Sequence, residues 1–578
     1  MRSLLNFKLF ISCLFAVCLM TACNNSDGLG ESENKKVNVV EKIKFKVNFT
    51  DYNEDEELQG TRSSSLVAGD TLNKQVVNLG NGLLALVTMQ KDSVQTSRHP
   101  VTRALDNETY TMLAYKNGTL AGTVTGTVTG GVFTATSANE SIQLTPDTYD
   151  FVLYNSKVNR SGDNLSVNRS DIESALIGRT TYTVTAAPTK QQVVFQMKHA
   201  GARMRIKLTG YMKIESTTKG VLSSVNSTDV PGTAVYNAST GVWSAGTGAS
   251  ISGNCTFPES SEWLNPVTYT SKSNEYQYFL PSTDASNLKF TFTGGEIYKI
   301  NMNGASLKLS PNPVLSMKSN ASYLVNIKLM YSFLYLFSDG STGLIDKSIY
   351  GGGTKTPVGV VVSRSKRLAI ALKNANNGAT VQWTTNTSLN TWTNTNVYQF
   401  QDAMFRYDGE DETWNPANNR PNAGTVAKGD NNALFPAFYR AGHYSDELQA
   451  AGISMTGTLS GKKWHLPAFG EMRLMTEALG FAKPVTPSSS SSEFYGQPWY
   501  PRLADIAFTQ VGGTSILLND GGINRIYYWT STDINGYGGG WPGAIGLYND
   551  VSSTTFWFSG GLNNYKTKYH YARAFINY

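Results

Sequence analysis

The sequence predicts a mainly β protein: two tandem β-sandwiches followed by a smaller α+β domain. Three observations lead there. Short runs of alternating apolar and polar residues recur between residues 40 and 330. Gly, Asn, Asp and Pro separate these runs, as tight turns between antiparallel strands require. Helical periodicity is scarce until a single segment late in the chain. Roughly 290 residues of short strands exceed one sandwich of about 100 residues, so a boundary is placed near residue 188.

The elements follow in order. Ile43, Phe45, Val47 and Phe49 alternate with Lys44, Lys46 and Asn48, which gives a half-buried strand. Tyr149 to Tyr154 is another, and Val193 to Phe195 leads into Met204 to Leu208. Tyr276 to Leu280, Leu288 to Phe292 and Tyr323 to Leu329 continue the series. Beyond residue 331 the character changes. Eight of the ten tryptophans fall there, with long glycine loops at Gly351 to Gly353 and Gly538 to Gly540. The one convincing helix follows Leu466-Pro467, because proline suits a first helical turn. Its Phe469, Met472, Met475 and Leu479 recur at steps of three or four, and Gly480 offers a stop through its tolerance of the left-handed turn. Ser488 to Ser492 forms a polar loop.

Composition excludes several functions. Charged residues are 16% of the 578, against about 25% in ordinary soluble proteins, and the formal net charge is only +6. No basic cluster suits nucleic acid. The five histidines, His99, His199, His443, His465 and His570, show no metal-ligand spacing. Neither a G-x-S-x-G elbow nor a P-loop occurs. No catalytic residue, cofactor or metal is therefore assigned, and the expected function is non-enzymatic. The acidic run Asp408, Glu410, Asp411, Glu412 offers oxygens suited to calcium, but a solvated acidic loop is the favoured reading.

The N-terminus carries an address. Arg2 and Lys8 precede an apolar run from Leu9 to Leu19, which ends in Met20-Thr21-Ala22-Cys23. This resembles a lipoprotein signal, in which residues 1–22 are removed and Cys23 is acylated; residues 23–39 then read as a polar tether. Of the four cysteines, Cys13 and Cys18 leave with the signal, so Cys255 has no intrachain partner.

Two resemblances cover the rest. Phe195-Gln196-Met197-Lys198-His199-Ala200-Gly201-Ala202-Arg203-Met204-Arg205-Ile206 is similar to a recurring strand of the fimbrillin family of lipoprotein pilus subunits. Leu144 to Phe151, Tyr278 to Pro281 and Ser322 to Ile327 support it. The resemblance implies two transthyretin-like β-sandwiches, over 40–187 and 188–330, with His199 and Arg203 as packing and hydrogen-bonding residues. It also implies maturation by an arginine-specific protease, with Arg62 as the site in an accessible polar stretch and Arg98 and Arg103 as later candidates. Removing the first strand would open a groove for a strand donated by another pilus subunit.

Lys463 to Glu471 resembles the W-R-L-P-T-x-x-E signature of bacterial C-type-lectin-like domains, with His465 and Ala468 in place of the usual Arg and Thr. Tyr528 to Thr532 and Tyr571 to Phe575 resemble further strands of that family, in whose fold the chain ends pair. Residues 331–578 would then be a ligand-binding domain. Formylglycine-generating enzymes share the fold but need cysteines, and none lies between residues 256 and 578. The calcium–sugar triplet of true C-type lectins is missing, and Gln497-Pro498-Trp499 is the nearest stretch.

Taken together, these resemblances imply a surface pilus subunit, a tip adhesin. Its precursor would be lipid-anchored in the outer membrane, and its partners would be other pilus subunits and a protein or glycan ligand. Asp408, Tyr537 and Trp541 mark the expected ligand contact. The last fimbrillin-like strand runs straight into another domain and Tyr571 to Tyr578 is needed inside it, so the subunit is expected to cap the fibre. The alternative is a glycan-binding surface lipoprotein that never polymerises.

Overall fold

The computed structural model describes residues 36–52, 75–92, 108–136, 142–186, 191–260, 263–264, 268–311, 314–390, 400–419, 424–483, 493–496, 499–517, 525–534, 541–548, 556–559 and 566–578. The protein is mainly β. Two compact units share the chain. One takes the residues up to 48 with 104–153 and 179–195; the other takes 49–103, 154–178 and 196–578.

Strand Ile43–Phe49 has the predicted bounds, with Ile43, Phe45 and Val47 buried and Lys44 and Lys46 exposed. A period of two sends alternate side chains to opposite faces, so the lysines stay in water while the apolar residues enter a core. The first expected sandwich closes into a barrel. Its strands run in the order Leu176–Val184, Gln191–His199, Ile43–Phe49, Val132–Ala135, Thr119–Thr129, Thr109–Lys116 and Asp147–Asn155. Closure between the last and first removes the open edges that would invite foreign strands. Asp150 helps fix it, accepting hydrogen bonds from Arg179 Nη2 at 2.8 Å and from Thr181 Oγ1.

The second unit contains a seven-stranded sheet. Its main path runs Trp263–Leu264, Thr268–Lys272, Ala202–Gly210, Ser322–Tyr331, Leu83–Lys91, Gln75–Gly80, with Gln277–Phe279 also pairing to Ala202–Gly210. A four-stranded sheet runs Ser252–Thr256, Lys219–Ser224, Leu288–Gly294, Ser306–Lys308. Met204, Ile206, Val325, Ile327, Phe290 and Phe292 join one apolar core with Val87 and Ala85. The pairing corrects two expectations. Ala202–Gly210 and Ser322–Tyr331 run parallel, from Arg203 opposite Ser322 to Thr209 opposite Lys328, where an antiparallel sheet was predicted. The contiguous boundary near residue 188 also fails. Leu83–Lys91 precedes the barrel strand Thr109–Lys116 in sequence, yet pairs along its whole length with Ser322–Tyr331. Cys255 lies in this core, where burial pushes its thiol up to about 12, Glu275 adding to the effect.

Residues from 335 onward build a six-stranded sheet in the order Thr342–Gly343, Tyr335–Phe337, Pro357–Ser363, Leu368–Ala371, Phe575–Asn577, Trp464–His465. The first and last strands of this region were expected to pair; they share the sheet but are separated by two strands. Helix Phe469–Gly480 lies where periodicity put it, with Phe469, Met472, Met475 and Leu479 buried. Pro467 precedes the N-cap, Ala468, instead of occupying the first turn. The stop differs too. The left-handed residue is Phe481 (φ 53°), whose N–H donates to the Thr476 carbonyl. Gly480 is glycine for space, since a Cβ there would lie 2.5 Å from Trp499 Cε3. Trp383, Trp464, Trp499 and Trp529 are fully buried, and Trp414 is half-buried.

Candidate functional site

Two places carry the chemistry that the sequence singles out. The first is the seat of Ile43–Phe49. Phe45 is its anchor, packed edge-on to Phe133 (ring centroids 6.3 Å) and Phe151 (5.8 Å) and stacked on Phe195 (6.2 Å). On the Val132–Ala135 side the lacing is slight. Phe45 pairs with Phe133 and Lys46 with Val132, and the Val47 N–H donates to the Gly131 carbonyl at 2.8 Å. Beside Ile43 and Lys44 the two strands part, leaving a crevice of about 460 Å³ whose walls include Val40, Ile43, Phe133, Ala135 and Gln191. Toward Val132–Ala135 the strand is thus held more by its three buried side chains, each worth about 1.5–3 kcal/mol of apolar burial, than by hydrogen bonds, while its other edge pairs with Gln191–His199.

The second place lies in residues 331–578 and is built on buried charge. Lys566 Nζ sits 2.7 Å from Asp533 Oδ2, with both side chains fully buried. Lys428 Nζ sits 2.9 Å from Glu412 Oε2, with exposures of 0% and 3%. The Trp383 ring lies by both ammonium groups, its centroid 4.8 Å from Lys566 Nζ and 5.7 Å from Lys428 Nζ. Its indole N–H donates to the Thr530 carbonyl at 2.9 Å. Burial pushes both lysines down from their usual range, opposed by Asp533 at Lys566 and by Glu412 at Lys428. In so dry a setting each ammonium survives only because its carboxylate stands beside it.

Asp408 belongs to the rim of this cluster. It is the N-cap of the short helix Gly409–Trp414 and pairs with Arg406, which also approaches Glu412 at 3.8 Å. Burial raises its carboxyl above the usual range, Arg406 opposing and Glu412 adding. The acidic run is the solvated segment expected only in part: Glu410 and Asp411 are exposed, but the run is a short helix and its other two carboxylates turn inward. Glu412 is inside, Glu410 accepts from Asn577 Nδ2 at 2.7 Å, and Asp411 accepts from Asn415 and Asn418. Among the described residues no group of three His, Cys, Asp or Glu side chains is placed to hold a metal. Trp541 opens strand Trp541–Tyr548 and pairs with Ile534, one residue from Asp533. Tyr537, Cys23, Arg62, Arg98 and Arg103 lie outside the described residues. Lys428, Asp533 and Lys566 were not singled out by the sequence, since a single charge in a polar loop has no period or motif to mark it.

The stretch Lys463 to Glu471 finds a physical role. Glu471 Oε2 reaches back to accept the Ala468 N–H at 2.7 Å and lies 3.2 Å from the buried His465 Nε2. A carboxylate three residues inside a helix caps the first turn, and this accounts for the spacing. His199 and Arg203, expected to pack and hydrogen-bond, both lie against the Tyr52 ring.

One histidine gives a pH test. His570 lies against the rings of Trp529 (centroids 4.4 Å) and Tyr527 (5.1 Å), and burial pushes it down to about 4, with Lys568 adding. Folding then favours the neutral ring. Stability should be fully present above pH 6.5 and fall as pH drops toward 4, because the unfolded chain takes up the proton first. Denaturant midpoints across this window should show the slope, and His570→Phe should flatten it. An equal slope in that variant would assign the effect to other groups.

Among curated proteins nothing matches. Among solved structures the chain is similar to a fimbrial protein from Bacteroides ovatus (12% identity, 94% of this chain and 100% of that one, TM-score 0.19). It is also similar to a fimbrial protein from Bacteroides vulgatus (14%, 38% and 88%, 0.24) and to a fimbrial assembly protein from Parabacteroides distasonis (10%, 47% and 100%, 0.24). Residues 103–332 match the family model described as Fimbrillin-like.

Proposed function

We propose that this protein is a surface pilus subunit placed at the fibre tip. It would be anchored first through acylated Cys23, matured by cleavage after Arg62, and joined to its neighbour by strand exchange. The fimbrillin-like match over residues 103–332 carries this reading. The seat of Ile43–Phe49 supports it, because a strand held by three buried side chains and lightly laced on one side is a replaceable part. Its departure would leave Phe133, Phe151 and Phe195 facing an empty groove lined with unpaired backbone groups. Arg62 is favoured over Arg98 and Arg103 by topology. A cut after either later arginine would also sever Leu83–Lys91, which is laid against Ser322–Tyr331 in the second sheet. Residues 331–578 would present the ligand-binding face, with Asp408, Tyr537 and Trp541 near the contact.

Fibres isolated from the producing cell test this directly. The protein in them should begin at Ser63, the unassembled precursor should carry an acyl group on Cys23, and antibodies to residues 331–578 should mark fibre ends. A fibre-borne chain beginning at Cys23 overturns cleavage. Labelling along the shaft overturns the tip position, and absence from fibres favours a lipoprotein that never polymerises.

A further inference from the structure

Beyond strand Ile43–Phe49 the chain makes one more turn before residue 53, and this turn is tightly strapped. The Thr50 N–H and Oγ1 both donate to the Met197 carbonyl, at 2.9 and 2.8 Å. Asn320, held at φ 57°, donates through Nδ2 to the Asp51 carbonyl at 3.1 Å. Its own N–H donates to the His199 and Gly201 carbonyls, and its Oδ1 accepts the His199 N–H. These bonds deliver Tyr52 into a slot. The ring is 4% exposed, lies flat on the His199 imidazole (centroids 4.1 Å, planes 5° apart), and has the Arg203 guanidinium 4.2 Å from its centroid.

The rest of the stack stays with the body of the protein. Arg203 also lies 4.2 Å from the Tyr276 centroid and donates through Nε to Ser322 Oγ at 3.1 Å. Arg205 covers Tyr276 at 4.9 Å and pairs with Asp92 at 2.7 Å, while the Tyr276 hydroxyl donates to Asp92 at 3.1 Å. Of the rings and cations in this series, Tyr52 is the one that lies upstream of Arg62. A cut there removes it together with the strand. The remaining walls are an imidazole plane and a guanidinium whose face has lost its ring.

We propose that this vacated slot is a second recognition point for the incoming subunit, and that it takes an aromatic side chain lying beyond the apolar part of the donated strand. The proposal rests on the strand-exchange reading and adds a chemical requirement to it. An aliphatic side chain could fill the volume but offers no π face to the guanidinium or imidazole. The spacing follows from the present occupant. In a strand entering in the direction of Ile43–Phe49, three buried apolar residues recur at steps of two, and the aromatic follows five positions after the last, as Tyr52 follows Val47.

The test uses the full chain with a unique protease site replacing Gly60 to Ser64, nicked after purification. Synthetic peptides copying residues 37–52 are then used to displace the N-terminal fragment. The peptide with Tyr52 and the one carrying Tyr52→Phe should displace it comparably, and the ones carrying Tyr52→Ala or Tyr52→Leu about tenfold less well. In nicked Arg203→Gln protein the preference for Tyr over Ala should shrink. Equal displacement by Tyr, Leu and Ala peptides overturns the aromatic slot while leaving strand exchange intact, and so does an undiminished preference in Arg203→Gln. Failure of every peptide to displace the fragment overturns strand acceptance, and the slot with it.

Discussion

Replacing Lys566 with Met should destabilise the folded protein by about 3–5 kcal/mol, because it leaves a carboxylate in a dry interior without its partner. Asp533 and Lys566 are both fully buried, and their 2.7 Å contact is the ammonium's main compensation for lost water. Methionine fills most of the lysine volume, so the loss reports charge more than packing. The paired change Lys566→Met with Asp533→Leu should recover most of it, since an apolar pair needs no solvation. Denaturant unfolding followed by tryptophan fluorescence measures both, with Trp383 as a reporter beside the ammonium. A single variant as stable as the parent would mean that water reaches Asp533 and that the cluster is not dry.

Deleting residues 571–578 should abolish the fold of the tryptophan-rich region. Phe575–Asn577 pairs with Leu368–Ala371 on one side and Trp464–His465 on the other, so it is the inside of the sheet. Ala572, Ala574, Phe575 and Ile576 are fully buried. The Arg573 guanidinium donates to the carbonyls of Ala371, Leu372 and Thr514 and lies 4.0 Å from the Phe508 ring. Burial of two large apolar side chains contributes about 3–6 kcal/mol. Loss of the guanidinium costs about 1–3 kcal/mol for each buried carbonyl left unpaired, the Leu372 carbonyl keeping the Thr514 N–H at 2.9 Å. Together these reach the 5–15 kcal/mol on which a domain survives. The truncated chain should lose its cooperative thermal transition in tryptophan fluorescence and become protease-sensitive beyond residue 331. Retention of that transition would show that this strand is dispensable and free to be donated to a neighbour, which the proposed tip position forbids.

What could be read in the sequence was local. Ile43–Phe49 has its predicted bounds because alternation is imposed by the strand's own geometry. Helix Phe469–Gly480 follows from a period of 3.6. What could not be read was partner choice. Leu83–Lys91 is rich in apolar residues, but nothing in it names Ser322–Tyr331 as its mate. The pairs Glu412–Lys428 and Asp533–Lys566 join residues that no short-range pattern connects. Phe481, not Gly480, takes the left-handed turn, and the glycine instead makes room for Trp499, a neighbour distant in sequence. The pairing of Asp408 with Arg406, two residues earlier, is likewise set by the fold and not by the acidic run.

The interleaved path has a temporal side. A chain emerging amino end first presents Leu83–Lys91 early, with Leu83, Ala85, Val87 and Met89 ready for burial. The strand that covers it on one side, Ser322–Tyr331, is among the last of the fimbrillin-like stretch to appear. Every barrel strand from Thr109–Lys116 to Gln191–His199 is made in between. Long-range pairing of this sort is slow, because a large loop must close before any contact rewards it. Until then an apolar edge stands open to whatever strand arrives first. The nascent chain therefore passes through a stage in which this apolar strand lacks the neighbour that covers it in the folded state.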